Sequence, residues 1–196
     1  MVDSVLVKSG ATAVAIGVML ALGVPVLAAG GRLVKSTASA HKVQPQPRPG
    51  SCHARGQGKF SLPDAGCTPG AIDPAVTQAD LGSTICRAGY TKTVRPPESI
   101  TEREKQASLL AYGDHRPLHF YEYDHLVALE LGGARNDARN LWPEPGATPN
   151  PKDSLEARLH ARVCDGEMSL SAAQLAIARD WVAAYKRFIG PEPTAP

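Results

Sequence analysis

The feature that most constrains this chain is the stretch over residues 121–153, where a short aromatic run closes on an acid and an imidazole. Tyr121 and Tyr123 lead into Asp124-His125, and Leu126, Val127 and Leu129 follow. Aromatic and β-branched enrichment predicts a strand over residues 119–129. Gly132-Gly133 can take backbone angles closed to other residues, and Asn136-Asp137 tolerate left-handed turns. The chain can therefore reverse there and bring Asn140 back beside His125. Asn140-Leu141-Trp142-Pro143 then reads as a second strand. Asn150-Pro151-Lys152-Asp153 puts Asn at an N-cap, Pro at the first helical position and an acid at the third, which predicts a helix start. The order is strand, loop, strand, helix.

That helix carries a buried stripe of Leu155, Leu159 and Val163, and Asp165-Gly166 ends it. His160 sits at the edge of the stripe. Ser171 and Gln174 have the spacing of a capping box, predicting a last helix through Phe188 that lays a wide apolar face on the rest. Upstream, Thr101 and Glu104 form another such box, with a helix expected over residues 102–112. Pro63, Pro69 and Pro74 make residues 60–95 irregular, with one short helix near residues 76–82. His115 and His119 flank Arg116-Pro117, which reads as a solvated loop rather than a second metal site. No phosphate-binding glycine loop, nucleophile elbow or dinucleotide fingerprint is present.

Composition enters at the ends of the chain. With 43% hydrophobic and 5% aromatic residues, 196 residues allow one modest domain with an aliphatic core. Residues 1–40 read as a targeting segment: Lys8 precedes an apolar run over residues 11–29, which fits either a cleaved signal peptide or a retained membrane anchor. Val26-Leu27-Ala28 and Ala38-Ser39-Ala40 offer small-residue cleavage sites. Secretion or residence in the cell envelope is the expectation. Residues 41–59, with Pro45, Pro47, Pro49 and several basic side chains, read as an exposed linker, leaving residues 60–196 as the domain. The first forty residues hold Lys8, Arg32 and Lys35 against Asp3, so the remainder carries 18 basic and 18 acidic residues. That balance argues against a tight non-specific duplex binder, because phosphate contacts dominate such affinity. Cys52, Cys67, Cys86 and Cys164 form no Cys-x-x-Cys pair, which argues against a zinc ribbon. An even count in an oxidising compartment predicts two disulfides, with three pairings open.

The Asp124-His125 pair, Gly132-Gly133, Asn140-Leu141-Trp142-Pro143 and the Asn150 helix start together resemble the HNH nucleases, which share the ββα-metal finger. The resemblance covers about 40 residues, and phrases around Cys86 and Cys164 are similar to small exported bacterial proteins carrying such a finger. It implies an α+β fold: a two-stranded antiparallel hairpin plus helix over residues 119–165, about three further helices, and disulfide cross-links. It implies that Asp124 binds a divalent metal, His125 is the general base, Asn140 orients the His125 ring, and Asn150 completes the metal site. The last slot holds Asn where many members have His, and Asn150 is equally a plain helix cap. From the same relatives comes the pairing of Cys52 with Cys67 and Cys86 with Cys164. The longer link would stabilise the fold by ~4 kcal/mol on the chain-entropy account.

Carried into chemistry, the resemblance implies an exported metal-dependent nuclease that hydrolyses phosphodiester bonds of DNA or RNA. His125 would take a proton from water. Oxygen donors at Asp124 and Asn150 favour Mg²⁺, with Mn²⁺ or Ca²⁺ as other hard ions, over Zn²⁺. Arg135 and Arg139, on the loop, either clamp a phosphate or solvate the surface. Nucleic acid is the expected partner, no small-molecule cofactor is expected, and the protein is expected to be a monomer. The reading of another class is a non-catalytic secreted or envelope domain that keeps the finger as a scaffold for binding.

Overall fold

The computed structural model describes residue 1, residues 33–146 and residues 149–191. The apolar run expected to target or anchor the chain, residues 11–29, lies outside the described residues. Among the described residues no helix is long and apolar enough to cross a membrane.

The architecture mixes α-helices with small sheets and carries two disulfides. In chain order come β1 (Val34–Lys35), β2 (Ala71–Ile72), α1 (Tyr90–Val94), α2 (Glu98–Ala111), β3 (Tyr121–His125), β4 (Leu141–Pro145), α3 (Pro151–Cys164) and α4 (Leu170–Phe188). β1 and β2 pair in parallel. β3 and β4 pair antiparallel, with Asp124 opposite Trp142 and Glu122 opposite Glu144. A hairpin of this size is marginal alone in water. Here the chain leaving β3 packs with α3 and α4 in one core of Leu126, Val127, Leu129, Leu155, Leu159 and Ile177. On α2, Tyr112 at its C-terminal end meets the fully buried Trp142, with ring centroids 6.1 Å apart.

Local signals set the helix bounds, with two shifts from the sequence reading. α3 starts where expected: the Asn150 side chain accepts from the Lys152 and Asp153 N–H groups, and Asp153 answers by accepting from the Asn150 N–H. α2 begins earlier than expected, directly after Pro97. Glu104 therefore caps nothing; it is buried and accepts from the Gln44 N–H at 2.6 Å and from Asn136 Nδ2 at 2.9 Å. α4 is capped by Ser169, which accepts from the Ala172 N–H, and not by Ser171. Gln174, expected in that cap, is buried and donates to the Leu131 carbonyl. β3 is shorter than the 119–129 strand expected, because Leu126 onward turns into the core and a 3₁₀ turn forms at Leu129–Leu131.

Residues 41–59 are not a free linker. The Gly50 and Cys52 N–H groups donate to the last carbonyls of α2, at Leu110 and Ala111, and Gln46 Nε2 donates to the Tyr123 hydroxyl. Low apolar content keeps the segment at the surface, while main-chain hydrogen bonds tie it down. The disulfides join Cys52 to Cys67 and Cys86 to Cys164. The second fastens the segment before α1 to the C-terminal end of α3.

Candidate functional site

The site is built around the reversal between β3 and β4. Gly132 has φ +70°, and a Cβ on Gly133 would fall 1.7 Å from the Val127 carbonyl oxygen, so the turn needs glycine at both positions. Asn136 and Asp137 do not take left-handed angles, contrary to expectation; positive φ is confined to glycines among the described residues. They hold the loop through their side chains instead. Asn136 donates to Glu104 and to the Lys42 carbonyl, and Asp137 accepts from Ser36 and Arg139.

Asn140 is fully buried and serves the backbone. Its Oδ1 accepts from the Val127 N–H at 2.9 Å and the Ala71 N–H at 3.4 Å. Its Nδ2 donates to the carbonyls of Val127 and Ala134 at 3.0 and 3.1 Å. One amide thus staples both ends of the reversal, and the expectation that it orients the His125 ring is corrected: it bonds the loop backbone. The His125 ring is held by the Arg135 carbonyl, 2.9 Å from Nε2. A carbonyl only accepts, so Nε2 carries the proton and Nδ1 keeps its lone pair. Burial drives the His125 pKa down to about 4, against the opposing pull of the Arg135 carbonyl and Asp124, and leaves the ring neutral at pH 7.

Asp124 and His125 neighbour each other along a strand, and an ideal pleat would send them to opposite faces. Because His125 is the last residue of β3, both nevertheless line one cavity of about 230 Å³. Glu122, Glu130, Asp153 and Glu156 share it, as does the exposed Arg95. Burial pushes the Glu130 carboxyl up.

Lys152, on the first turn of α3, reaches the same junction. Its side chain is 1% exposed, and its ammonium lies 2.7 Å from Asp124 Oδ2, donates to the His125 carbonyl at 2.7 Å and pairs with Glu156. Burial alone would lower the Lys152 pKa, but Asp124, Glu156 and Glu144 together outweigh it and hold the ammonium above the ordinary lysine value. The wholly buried Glu144 is pushed far up by burial and by Asp124, and burial pushes the Glu156 carboxyl up as well.

This arrangement bears on the expected metal donors. The Asn150 oxygen is committed to two backbone N–H groups, its Nδ2 donates to Glu122 at 3.0 Å, and Asp124 is paired with Lys152. A divalent ion at these oxygens would therefore compete with the Lys152 ammonium for Asp124 Oδ2 and with the α3 N-terminus for Asn150 Oδ1. Among the described residues the one set of three ligand atoms within 4.8 Å is Cys86, His160 and Cys164. Its sulfurs are joined to each other, so neither is the thiolate a metal would need. His160 itself lies 2.9 Å from the Ile85 carbonyl.

The loop arginines are also occupied. Arg135 Nε is 2.7 Å from Asp73, and Arg139 forms two hydrogen bonds with the Asp137 carboxylate. The cation that lines the cavity is Arg95. Sequence reasoning missed Lys152, Glu156 and Arg95. Lys152 and Glu156 stand four residues apart on a helix, a spacing that pairs opposite charges, yet such pairs are ordinarily solvent-facing. Comparison of the chain with protein-family models, with curated proteins and with solved structures finds no match.

Proposed function

We propose that this protein is an exported phosphodiester hydrolase of the HNH type, acting on DNA or RNA, with His125 as its general base. The observation that carries the reading is the neutral His125 ring, whose Nε2 proton is given to the Arg135 carbonyl and whose Nδ1 keeps a free lone pair beside the cavity shared with Asp124. The hairpin, the loop stapled by Asn140 and the following helix support reading residues 119–165 as a ββα finger. Two disulfides support an oxidising compartment.

In this mechanism Nδ1 takes a proton from water as the oxygen forms its bond to phosphorus; the bond to the leaving oxygen breaks with its electron pair, that alkoxide takes a proton from solvent water, and the imidazolium returns its proton to solvent. Arg95 meets the phosphate charge at the mouth of an otherwise acidic cavity. The divalent ion of the resembled family would neutralise charge on the scissile phosphate. Since Lys152 and the α3 N-terminus compete for Asp124 Oδ2 and Asn150 Oδ1, no step here depends on it.

The test is cleavage of supercoiled plasmid and of single-stranded RNA by wild type and His125→Ala, each with and without EDTA. Loss of about 100-fold or more in His125→Ala, with the melting temperature kept within a few degrees, is the expected result. Cleavage of neither substrate by wild type, or equal cleavage by the variant, removes the reading. A second reading, a non-catalytic secreted or envelope scaffold, is favoured by one observation: Lys152 already neutralises Asp124 from within.

A further inference from the structure

Behind the cavity that Asp124 and His125 line lies a buried cation of the protein's own. Lys152 Nζ donates to the His125 carbonyl and to a Glu156 carboxylate oxygen, and stands 2.7 Å from Asp124 Oδ2 as an ion pair. The Lys152 side chain is itself sealed from solvent. A hard divalent ion binds carboxylate oxygen at about 2.0–2.6 Å, so one seated on the same oxygens would overlap an ammonium that sits 2.7 Å away. The two cations exclude each other by both volume and charge.

We propose that Lys152 is the resident cation at Asp124, occupying with a single positive charge the position that a divalent metal ion holds in the HNH nucleases, so that the wild-type protein takes up no divalent ion there. The inference rests on the HNH reading for the role of Asp124, but the competition for that carboxylate is independent of any catalysis. The same ammonium tethers the carbonyl of His125, so Lys152 is also a positioning residue: it fixes the end of β3 against the first turn of α3. Removing the lysine side chain would leave Asp124 and Glu156 facing each other across a lysine-sized space with no cation between them, which is what a hard divalent ion requires.

The test is a Mn²⁺ titration of the full chain, read by the electron paramagnetic resonance signal of free Mn²⁺ and by the melting temperature. Wild type is expected to take up no Mn²⁺ at Asp124, with a melting shift below about 1 °C. Lys152→Ala is expected to melt lower, to bind Mn²⁺ and to recover about 5 °C or more at saturating ion. Lys152→Ala/Asp124→Asn should lose that rescue, which a lysine acting only as filler would not predict. Stoichiometric Mn²⁺ binding by wild type that Asp124→Asn abolishes would overturn the proposal, and so would a folded Lys152→Ala that Mn²⁺ does not stabilise. If Lys152→Ala does not fold, the wild-type titration decides alone. Wild type that cleaves nucleic acid in EDTA and binds no Mn²⁺ upholds both this inference and the hydrolase. Wild type that binds no Mn²⁺ and cleaves nothing removes the hydrolase and leaves Lys152 as the resident cation.

Discussion

The ammonium of Lys152, on the first turn of α3, lies 2.7 Å from the carbonyl oxygen of His125, the last residue of β3. Strand end and helix start are thus joined by a side chain that also balances Asp124 and Glu156. The imidazole that offers the free nitrogen is held twice, at its backbone by Lys152 and at its ring by the Arg135 carbonyl. A ring fixed in this way has little conformational freedom left to lose.

Asn140→Ala should destabilise the protein more than an ordinary buried polar substitution. It strands the Val127 N–H and the Val127 and Ala134 carbonyls in the interior, at a cost of about 2–4 kcal/mol. Urea unfolding measures the loss, and hydrogen exchange at the Val127 amide should accelerate with it. A variant as stable as wild type, with that amide still protected, would contradict the stapling role.

Removing the disulfides in turn should give unequal losses. Cys86 and Cys164 close a separation of 78 residues, and Cys52 and Cys67 one of 15, which correspond to ~4.5 and ~3 kcal/mol on the chain-entropy account. Cys86→Ala/Cys164→Ala should therefore melt below Cys52→Ala/Cys67→Ala. Non-reducing peptide mapping should recover these two pairs and no others.

Acid should weaken the fold through His125. Its folded pKa is about 4, against 6.5 for the free side chain, so between those values the unfolded chain holds a proton that the folded protein refuses. Stability attributable to this ring is full above pH 6.5, falls by up to ~1.4 kcal/mol per pH unit as the pH drops toward 4, and levels off below, a total of about 3 kcal/mol. His125→Gln removes the titration. The difference in unfolding free energy between wild type and His125→Gln, followed from pH 7 to pH 4, should narrow by that amount; a constant difference would show that the ring is not buried neutral.

Much of this was legible where the signal is local. The aromatic run into Asp124-His125, the glycine pair and the Asn150-Pro151 cap each act over a few residues, and β3, the reversal and α3 follow them. What depended on distant partners was not legible. Lys152 beside a helix cap has the pattern of a surface charge, and only its placement against β3 buries it. Glu104 matched a capping box, yet its partners are Gln44 and Asn136, 60 and 32 residues away. Residues 41–59 are poor in apolar groups and so read as an exposed linker, whereas main-chain bonds to the end of α2 tie them down, and side-chain patterns carry no trace of such bonds. The resemblance to the HNH nucleases implied Asn140 at the His125 ring; the unpaired backbone groups inside the turn claim it first.

The protonation state of His125 is the most direct test of the account. Long-range ¹H–¹⁵N correlation spectra of the imidazole at pH 7 should show a proton on Nε2 and a bare, pyridine-type Nδ1, with the ring titrating near pH 4. A proton on Nδ1, or a midpoint at the ordinary histidine value, would contradict it.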